Sequence, residues 1–478
     1  MTSFRLLTAS FLCALSIAAH AQRPLELPKQ ADEQLRSAGF LEADLKELLV
    51  KDHYTDAGIT HTFLRQRWQG IEVWNGDIGI HQTANGDVIR MNIGAFTGIG
   101  KRVNATAPVV TAAAAVESVI ARNLPGKRMP QMLSTTDEGR KAIFDGSEFG
   151  NEPVTAQLVF QPKGDALRLA WNVSHYTPDG SHWWNVRIDA ITGEELDRND
   201  WVAQCNWDDH EHHGCAEDAP EEESAPAAPN DYRVFDWPTE SPSHGPRILS
   251  NAPWLNGGIA SPYGWHDTNG AAGAEYTDTR GNNCRAQEDA DNNNTGGYRP
   301  DGGATLDFDF PLDLTQAPST YLDPAITNLF YWNNLMHDVW YQYGFTEPAG
   351  NFQQNNYGRG GLGNDWVIAD AQDGSGTNNA NFFTPPDGSN PRMQMYRWTQ
   401  TTPHRDSDLD NGIIAHEYGH GISTRLVGGP SNASCLGNDE QMGEGWSDYF
   451  GIVMTIRAGD TGATGRGVGT YVLGQATT

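Results

Sequence analysis

The sequence has 478 residues, of which 38% are hydrophobic, and this length predicts about two to four domains with sizeable cores. The 61 acidic residues outnumber the 32 basic ones and give a net charge of −29, which argues against nucleic acid or an anionic membrane as a partner, since both are polyanions. The 52 glycines and 15 tryptophans are typical of extracellular hydrolases with glycine-rich loops and tryptophan-filled cores.

The N-terminus has the organisation of a secretory signal. Arg5 supplies a positive n-region, the run LLTASFLCALSIAA is apolar, and the small residues Ala19 and Ala21 predict cleavage before Gln22. A short membrane anchor is the alternative, which we disfavour because the apolar run is short for a bilayer. We therefore expect residues 1–21 to be removed and the protein to be secreted.

The segment after the signal is predicted to form two small α+β modules, residues 22–100 and 101–204. In the first, residues 61–92 alternate apolar and polar positions around the turn signals QG, NG and NGD, which predicts antiparallel strands and hairpins. In the second, APVVTAAAAVESVIARNL from Ala107 has helical spacing, and it is followed by the strand-like TAQLVFQP, LRLAWNVSHY and HWWNVRIDAITGEEL.

Residues 205–231 are predicted to form an acidic linker. The segment from Asp208 to Glu223 is rich in acidic residues, with prolines and alanines following, which is typical of a solvated, flexible connection and of a place where a protease cuts. The three histidines of HEHH could bind a metal ion, but nothing in the sequence fixes their geometry.

The cysteines agree with export. Cys205, Cys215, Cys284 and Cys435 remain after the signal, and an even number in an exported protein predicts two disulfides with three connectivities. We favour Cys205 with Cys215 and Cys284 with Cys435, because the first two are close in sequence. No CxxC spacing occurs, so a zinc site made of cysteines is disfavoured.

From residue 232 the chain alternates loops, short strands and three predicted helices. DPAITNLFYWNNLMHDVWYQYGF repeats apolar residues every three or four positions, which predicts a helix. NDWVIADAQDGSGTNNANFFTPPDG and MQMYRW predict strands separated by turns. The next two helices are predicted around IIAHEYGHGIS and QMGEGWSDYFGIVMTIRA.

The first of these two helices contains the pattern H-E-x-x-H. Residues four apart share a helix face, so His416 and His420 point the same way, as two ligands of one Zn²⁺ must. Glu417 lies about 100° further round the helix, where it flanks the metal and can deprotonate a water molecule. A helix with two incidental histidines is the alternative interpretation of this motif alone.

A catalytic zinc needs a third protein ligand. The pattern H-E-x-x-H-x-x-G-x-x-H is excluded, because Ser423 and Leu426 stand where it requires Gly and His. We favour Glu444 on the following helix, with Asp448 one turn later accepting the N–H of a ligand histidine. The alternative is that Glu444 is a charge at a helix start and Asp448 a surface residue.

These segments resemble the fungalysin family, the secreted relatives of thermolysin. HEYGHGIS with GEGWSDY, the helix ITNLFYWNNLMHDVWYQYGF, the stretch from NFQQNNYGRGG to MQMYRW and SPYGWHD resemble its catalytic domain, while FLRQRWQGIEVWNGDIGIH and WWNVRIDAITGEEL resemble its two propeptide modules. The resemblance implies an α+β protein in which a propeptide of two small modules precedes a thermolysin-like (gluzincin) catalytic domain at residues 232–478.

The resemblance implies a secreted zinc endopeptidase made as a proenzyme. It implies His416, His420 and Glu444 as ligands of a single zinc ion, Glu417 as the general base and Asp448 as the partner of a ligand histidine. Its substrates are proteins or peptides, and its own propeptide acts as an intramolecular inhibitor and folding aid until the linker is cut. No nucleic acid and no membrane are expected as partners.

The segment NNANF resembles the edge strand that binds extended peptides in thermolysin-like enzymes. Asn379 and Ala380 are therefore predicted to contact substrate, since an extended peptide can add to an open sheet edge. In the family, a helical lobe follows the third ligand, and this chain ends at Thr478. We expect that lobe to be largely missing, because the sequence is either a fragment or, less favoured, an inactive truncated protein.

Calcium is one interpretation of QEDADNNN, residues 287–294, where Asp and Asn abound. We favour a solvated loop, because the segment lacks a recognisable ligand spacing. Two alternatives to the peptidase also stay open: a non-catalytic zinc-binding or inhibitory derivative of such an enzyme, and a secreted carbohydrate-binding protein suggested by the tryptophans and the Asp/Asn-rich loops.

Overall fold

The computed structural model describes residues 27–56, 58–150, 152–204, 230–436, 442–463 and 465–475. The predicted signal, HEHH and both Cys205 and Cys215 lie outside these ranges, as does most of the predicted linker. Within the described ranges the helices are α1 (Lys29–Ser37), α2 (Glu42–Leu45), α3 (Ile99–Arg102), α4 (Ala112–Asn123), α5 (Leu322–Tyr341), α6 (Asn411–Val427) and α7 (Gly443–Met454).

The strands divide into two groups along the chain. The N-terminal half contains β1 (Leu49–Asp56), β2 (Ile59–Trp68), β3 (Ile71–Thr83), β4 (Val88–Ile93), β5 (Met132–Thr136), β6 (Lys141–Phe144), β7 (Val154–Lys163), β8 (Ala166–Tyr176), β9 (Trp183–Asp189) and β10 (Glu195–Asp200). The C-terminal half contains β12 (Asp231–Val234), β13 (Ile248–Asn251), β14 (Cys284–Glu288), β15 (Asp307–Phe308), β16 (Val367–Ala371), β17 (Ala380–Phe383), β18 (Arg392–Met395), β19 (Arg397–Trp398) and β20 (Arg405–Asp406). Between them lies β11 (Val202–Gln204).

In the N-terminal half, β1 to β10 join into one sheet of ten described strands. The predicted hairpins over residues 61–92 are confirmed, because β2, β3 and β4 pair antiparallel in sequence order. The predicted NG turn is wrong: Asn75 and Gly76 lie inside β3, where Asn75 has φ of 53°. The register of β2 against β3 shifts nearby, between Arg65 and Arg67, so the strand bulges and continues.

Each part of this sheet has its own core. A smaller cluster under α1 includes Leu35, Leu64 and Ile80, and a larger one under α4 includes Val119 and Phe160. The two parts meet where β3 and β7 pair in parallel. Two apolar cores therefore share one continuous sheet, and the pairing of β3 with β7 holds them together.

Helix α4 begins five residues later than the start of the predicted helical segment. Pro108 precedes it, and the backbone N–H groups of Val109 and Val110 both donate to the carbonyl of Ala190 at 2.8 Å, which holds them outside the helix. Thr111 then caps the helix, its side chain accepting from the N–H of Ala114 at 3.2 Å.

In the C-terminal half, α5 packs against a sheet with the order β11-β17-β18-β16-β14. The predicted helix is confirmed, and polar residues are buried in it beside the apolar ones. Asn328 donates to the carbonyl of Asp408 and to the side chain of Asn411, both at 2.8 Å. Because Asn411 is the first residue of α6, this amide ties α5 to the start of the helix that carries H-E-x-x-H.

The predicted pairing of Cys284 with Cys435 is wrong. Cys284 begins β14 in the core of the C-terminal half and is fully buried with a free thiol. Cys435 follows α6 on the side that faces the N-terminal half, where it borders a cavity with Phe63 and Asp77. The two sulfurs therefore face different parts of the molecule.

Across the described ranges, no helix has both the length and the apolar character needed to cross a bilayer.

The N-terminal half docks on the loop that follows α6. Asp52 accepts from the backbone N–H of Ser431 at 3.1 Å and from its hydroxyl at 2.8 Å, and Asn432 donates to Asp77 at 2.7 Å. Gly429 has φ of +84°, and a Cβ placed on it would lie 2.8 Å from Cγ of the Phe63 ring. The absence of a side chain at Gly429 thus lets the two halves approach.

We expect Gly429→Ala to weaken this docking. The control is Gly459→Ala, at a glycine with φ of +101° and open space around it. Each variant places an alanine in the left-handed region, which destabilises the fold by about 1–2 kcal/mol. Only the first meets the Phe63 ring, which adds about 1–3 kcal/mol of overpacking. Urea unfolding monitored by tryptophan fluorescence checks this, and equal losses in the two variants would contradict the docking contact.

Candidate metal centre

Helix α6 presents His416, Glu417 and His420 inside the protein, with 2%, 0% and 4% of their surfaces exposed. The helix begins after Asp410, whose backbone carbonyl accepts from the N–H groups of Ile413 and Ile414 at 3.1 Å. The rings of His416 and His420 lie with centroids 4.9 Å apart and planes at 79°, as expected for side chains one helical turn apart.

Helix α7 brings two carboxylates to these rings. Nε2 of His416 lies 3.3 Å from Oε2 of Glu444, and Nε2 of His420 lies 3.6 Å from Oε1 of Glu444. Asp448, one turn further along α7, accepts a 2.9 Å hydrogen bond from Nδ1–H of His416. Since that bond uses Nδ1–H, the other ring nitrogen of His416 faces Glu444.

Two glycines explain how α6 comes so close to its neighbours. A Cβ on Gly419 would lie 2.7 Å from the Phe450 ring and 3.1 Å from Cα of Ser447, both on α7. A Cβ on Gly421 would lie 2.6 Å from the ring of Phe352. Neither glycine was predicted to shape the site, although two glycines inside a helix are a signal of close packing.

The carboxylates and the burial of the rings act oppositely on the two histidines. Burial alone would lower the pKa of His416, but hydrogen bonds to Asp448 and Glu444 and the charge of Glu417 raise its pKa to about 9. Burial and the neighbouring His416 lower the pKa of His420 to about 4. For Glu444, burial opposes the shift, yet its bond to His416 and the charges of both histidines lower its pKa.

The predicted ligand atoms fit one metal ion. One donor atom from each of His416, His420 and Glu444 lies within 4.8 Å of the other two. Two imidazole nitrogens and one carboxylate oxygen form a donor set that suits Zn²⁺ and leaves a fourth position open. The structure therefore brings together three of the predicted site residues, with Asp448 behind one of them and Glu417 beside them on α6.

The predicted substrate strand is present, but its edge is covered. Ala380 begins β17, and Asn379 immediately precedes it. The strand pairs with β18 on one side and antiparallel with β11 on the other, with Val202 opposite Phe383 and Gln204 opposite Asn381. Within the described residues, the pairing of β11 with β17 thus ends at Asn381, one residue before it would reach Ala380.

Strand β11 was not predicted from the sequence, because no strand was expected at the end of the second module, residues 101–204. Aromatic packing surrounds it: Val202 of β11 packs with Tyr176 and Phe383, and the ring of Trp183 stacks on that of Phe383 with centroids 4.0 Å apart. Trp201 also donates from Nε1 to the hydroxyl of Ser434 at 3.0 Å. A cleft of about 270 Å³ lies between this segment and the candidate metal centre, with Trp201 and Ala203 on one side and His420 and Glu444 on the other.

Comparisons with known proteins find matches to both halves of the chain. Residues 231–478 match the family model described as fungalysin metallopeptidase (M36), and residues 48–93 match the fungalysin/thermolysin propeptide motif. The chain is 37% identical over 441 residues to extracellular metalloproteinase 2 of Trichophyton tonsurans, covering 89% of this chain and 63% of that protein. It is 36% identical over 443 residues to extracellular metalloproteinase mep of Aspergillus fumigatus, covering 90% and 64%.

The chain thus spans somewhat less than two thirds of the length of these curated relatives. Among solved structures, the C-terminal domain of YpeB from Bacillus megaterium matches 37% of this chain and 69% of its own, at 11% identity and a TM-score of 0.18, which is too low to inform the fold.

We expect Gly419→Ala to push α7 away from α6 and so to separate Glu444 from the two histidines. Alanine normally favours a helix over glycine by about 1 kcal/mol, but the clash with Ser447 and Phe450 costs about 1–3 kcal/mol. The control is Gly445→Ala on α7, where a Cβ has open space. Urea unfolding and zinc competition with a chelator check this, and equal zinc affinity in both variants would contradict it.

Proposed function

The chain belongs to the fungalysin metallopeptidase family, and from this membership we propose that it is a secreted, zinc-dependent endopeptidase made as a proenzyme. The observation that carries the proposal is the convergence of His416, His420 and Glu444 within 4.8 Å. The names of its relatives, which are extracellular metalloproteinases, support both secretion and proteolysis. In this proposal, residues 232–478 form a catalytic domain of the thermolysin-like (gluzincin) type.

His416 and His420, through Nε2, and Glu444, through its carboxylate, would hold the zinc ion. Zinc, when bound, polarises the carbonyl of a peptide bond and lowers the pKa of a water molecule to about 7. Asp448 is a positioning residue, because its bond from Nδ1–H leaves Nε2 of His416 as the nitrogen that loses its proton and binds the metal. Glu444 stays ionised as a ligand, since its pKa is lowered by the histidines around it.

Glu417 would act as the general base. Its carboxylate is buried on α6 next to the ligand His416, and its charge contributes to the raised pKa of that histidine, so the two groups lie within electrostatic reach. A carboxylate in this position can take a proton from the attacking water at one of its oxygens and deliver it to the nitrogen of the departing amine. The same side chain would thus serve both proton transfers.

The substrate would be an extended peptide paired with β17. The geometry of β11 supports this, because β11 already lies antiparallel against that edge and faces the cleft beside His420 and Glu444. Asn379 and Ala380, next to the paired positions, would contact the continuation of such a peptide.

Residues 22–204 would form the propeptide, with modules at 22–100 and 101–204. The propeptide motif at residues 48–93 supports this assignment. With β11 in the substrate position, the N-terminal half acts as an intramolecular inhibitor. A cut within residues 205–231 would separate it from the catalytic domain and permit its release.

Glu417→Gln tests the general base. The amide has the same size but no proton-accepting carboxylate, so we expect hydrolysis of casein to fall by about 10²–10⁴-fold after cleavage of the linker, while one zinc per chain stays bound. Metal analysis and kcat measurements check this. In a chain extended to the length of the curated relatives, zinc binding without any hydrolysis would instead favour the non-catalytic, zinc-binding derivative.

Val202→Asp tests the inhibitory role of β11. Val202 is 6% exposed and packs with Tyr176 and Phe383, so a carboxylate there loses hydration without gaining a basic partner. We expect the uncleaved chain to hydrolyse a fluorogenic peptide at least about tenfold faster, because roughly 1.4 kcal/mol of docking energy is lost. The control is Val109→Asp, at a valine that is 74% exposed in the same half. Unchanged latency of Val202→Asp would argue against this form of inhibition.

A further inference from the structure

A second group of metal-ligating side chains lies in the sheet of the C-terminal half. Asp289 follows β14, Asp370 lies in β16 and Asp373 follows β16, and all three are buried, with at most 2% of their surfaces exposed. The two strands pair in parallel, with Gln287 opposite Asp370, so the loop after β14 reaches the end of β16. One oxygen from each carboxylate lies within 4.8 Å of the other two.

The cluster has more negative charge than its neighbours neutralise. Arg392 on β18 forms an ion pair with Asp370. Within the described ranges, Asp289 and Asp373 have no ion pair with a basic side chain. Three buried carboxylates against one guanidinium leave two negative charges, which one divalent cation balances.

Two buried amides beside the cluster have oxygens without a hydrogen-bond partner. Gln394 lies opposite Asp370 in the register of β16 and β18, is fully buried, and donates from Nε2 to Asp373 at 2.8 Å while its Oε1 has no partner. Asn294 is 5% exposed, its backbone N–H donates to Asp289 at 3.0 Å, and its side-chain Oδ1 has no partner. Unpartnered buried carbonyls are rare in folded proteins, and a bound ion is one explanation of them.

We propose that Asp289, Asp370 and Asp373, together with Oδ1 of Asn294 and with Oε1 of Gln394 once its side-chain amide is turned over, form a calcium site. Calcium takes oxygen ligands from carboxylates and amides at about 2.3–2.6 Å, so its ligands lie up to about 5 Å apart. Magnesium requires about 2.0–2.1 Å and a stricter octahedron, and zinc favours nitrogen and sulfur. The bound ion would link the ends of β14 and β16 to β18.

The site explains why no calcium pattern was found in residues 287–294. That segment supplies only Asp289 and Asn294, while the remaining ligands come from β16, the turn after it and β18, roughly 80 to 100 residues later in the chain. A ligand set assembled across parallel strands has no fixed spacing in the sequence.

The N-terminal half covers the site. Gly180, in the turn between β8 and β9, lies so close that a Cβ on it would be 2.8 Å from Nε2 of Gln394 and 3.0 Å from Oδ1 of Asn294. The hydroxyl of Tyr176, at the end of β8, is buried at the same place without a hydrogen-bond partner. The ion would therefore be sealed between the two halves of the chain.

Calcium titration of the full chain tests the proposal separately from proteolysis. The chain is stripped of metals, reloaded with one equivalent of zinc and titrated with CaCl₂ by calorimetry, and its thermal midpoint is followed in parallel. We expect one calcium per chain and a rise in the midpoint that MgCl₂ does not reproduce. No heat and no shift at millimolar calcium, or an equal shift with magnesium, would overturn the calcium site whether or not the chain hydrolyses peptides.

Matched variants locate the ion. Asp289→Asn is expected to weaken calcium binding at least tenfold and to leave the metal-free midpoint equal or higher, because it removes a repelling buried charge. The control is Asp291→Asn in the same loop, where the carboxylate bonds only the exposed Asn293 amide, and it should bind calcium as the unsubstituted chain does. If Asp289→Asn does not fold, Asn294→Ala serves instead with a smaller expected loss. Wild-type calcium affinity in the folded variant would overturn the assignment.

Discussion

The close approach of α6 to α7 at Gly419 sets the geometry of the candidate metal centre. With a Cβ excluded there, the two helices pack so tightly that one carboxylate, Glu444, lies 3.3 Å from one histidine and 3.6 Å from the other. The same contact places Oδ1 of Asp448 at 2.9 Å from Nδ1 of His416. A ligand and its supporting residue, one turn apart on α7, are thus positioned by a single helix contact.

The far end of α6 is held by a buried ion cluster. Arg425 is fully buried; its guanidinium lies 3.1 Å from Asp365 and 3.3 Å from Asp387, and it donates to the carbonyl of Pro385 at 2.8 Å. Burial raises the pKa of Asp365 to about 7, although the charge of Arg425 opposes this. Such a cluster costs desolvation, and its geometric effect is to fix the rotation of α6 relative to the sheet. That rotation determines where His416 and His420 point.

The N-terminal half covers what the C-terminal half leaves open. An unpaired strand edge is a liability in a soluble protein, because it offers backbone groups to any extended chain. Here β11 pairs with that edge, the loop after α6 meets Asp52 and Asp77, and Gly180 lies over the acidic cluster of Asp289. These contacts all lie between the two halves, so removal of the N-terminal half would expose the edge strand and the cluster at once.

Local patterns in the sequence determined helices α4 to α7 and the set of residues proposed as ligands, whereas α1 to α3 were not predicted. The i, i+4 spacing of His416 and His420 follows from helix geometry alone, and Glu444 and Asp448 were found because they share a face of the next predicted helix. The α+β character and the hairpins of the N-terminal half were also local, because alternation and turn residues repeat over short distances. Only the tertiary structure decided which distant segments meet: β11 on β17, Cys284 apart from Cys435, and Asp289 beside Asp370 and Asp373. The residues concerned lie tens to hundreds of positions apart in the chain. Whether they meet depends on the order of the strands and on glycines whose missing Cβ allows two elements to touch. The periodicity of the sequence encodes neither of these.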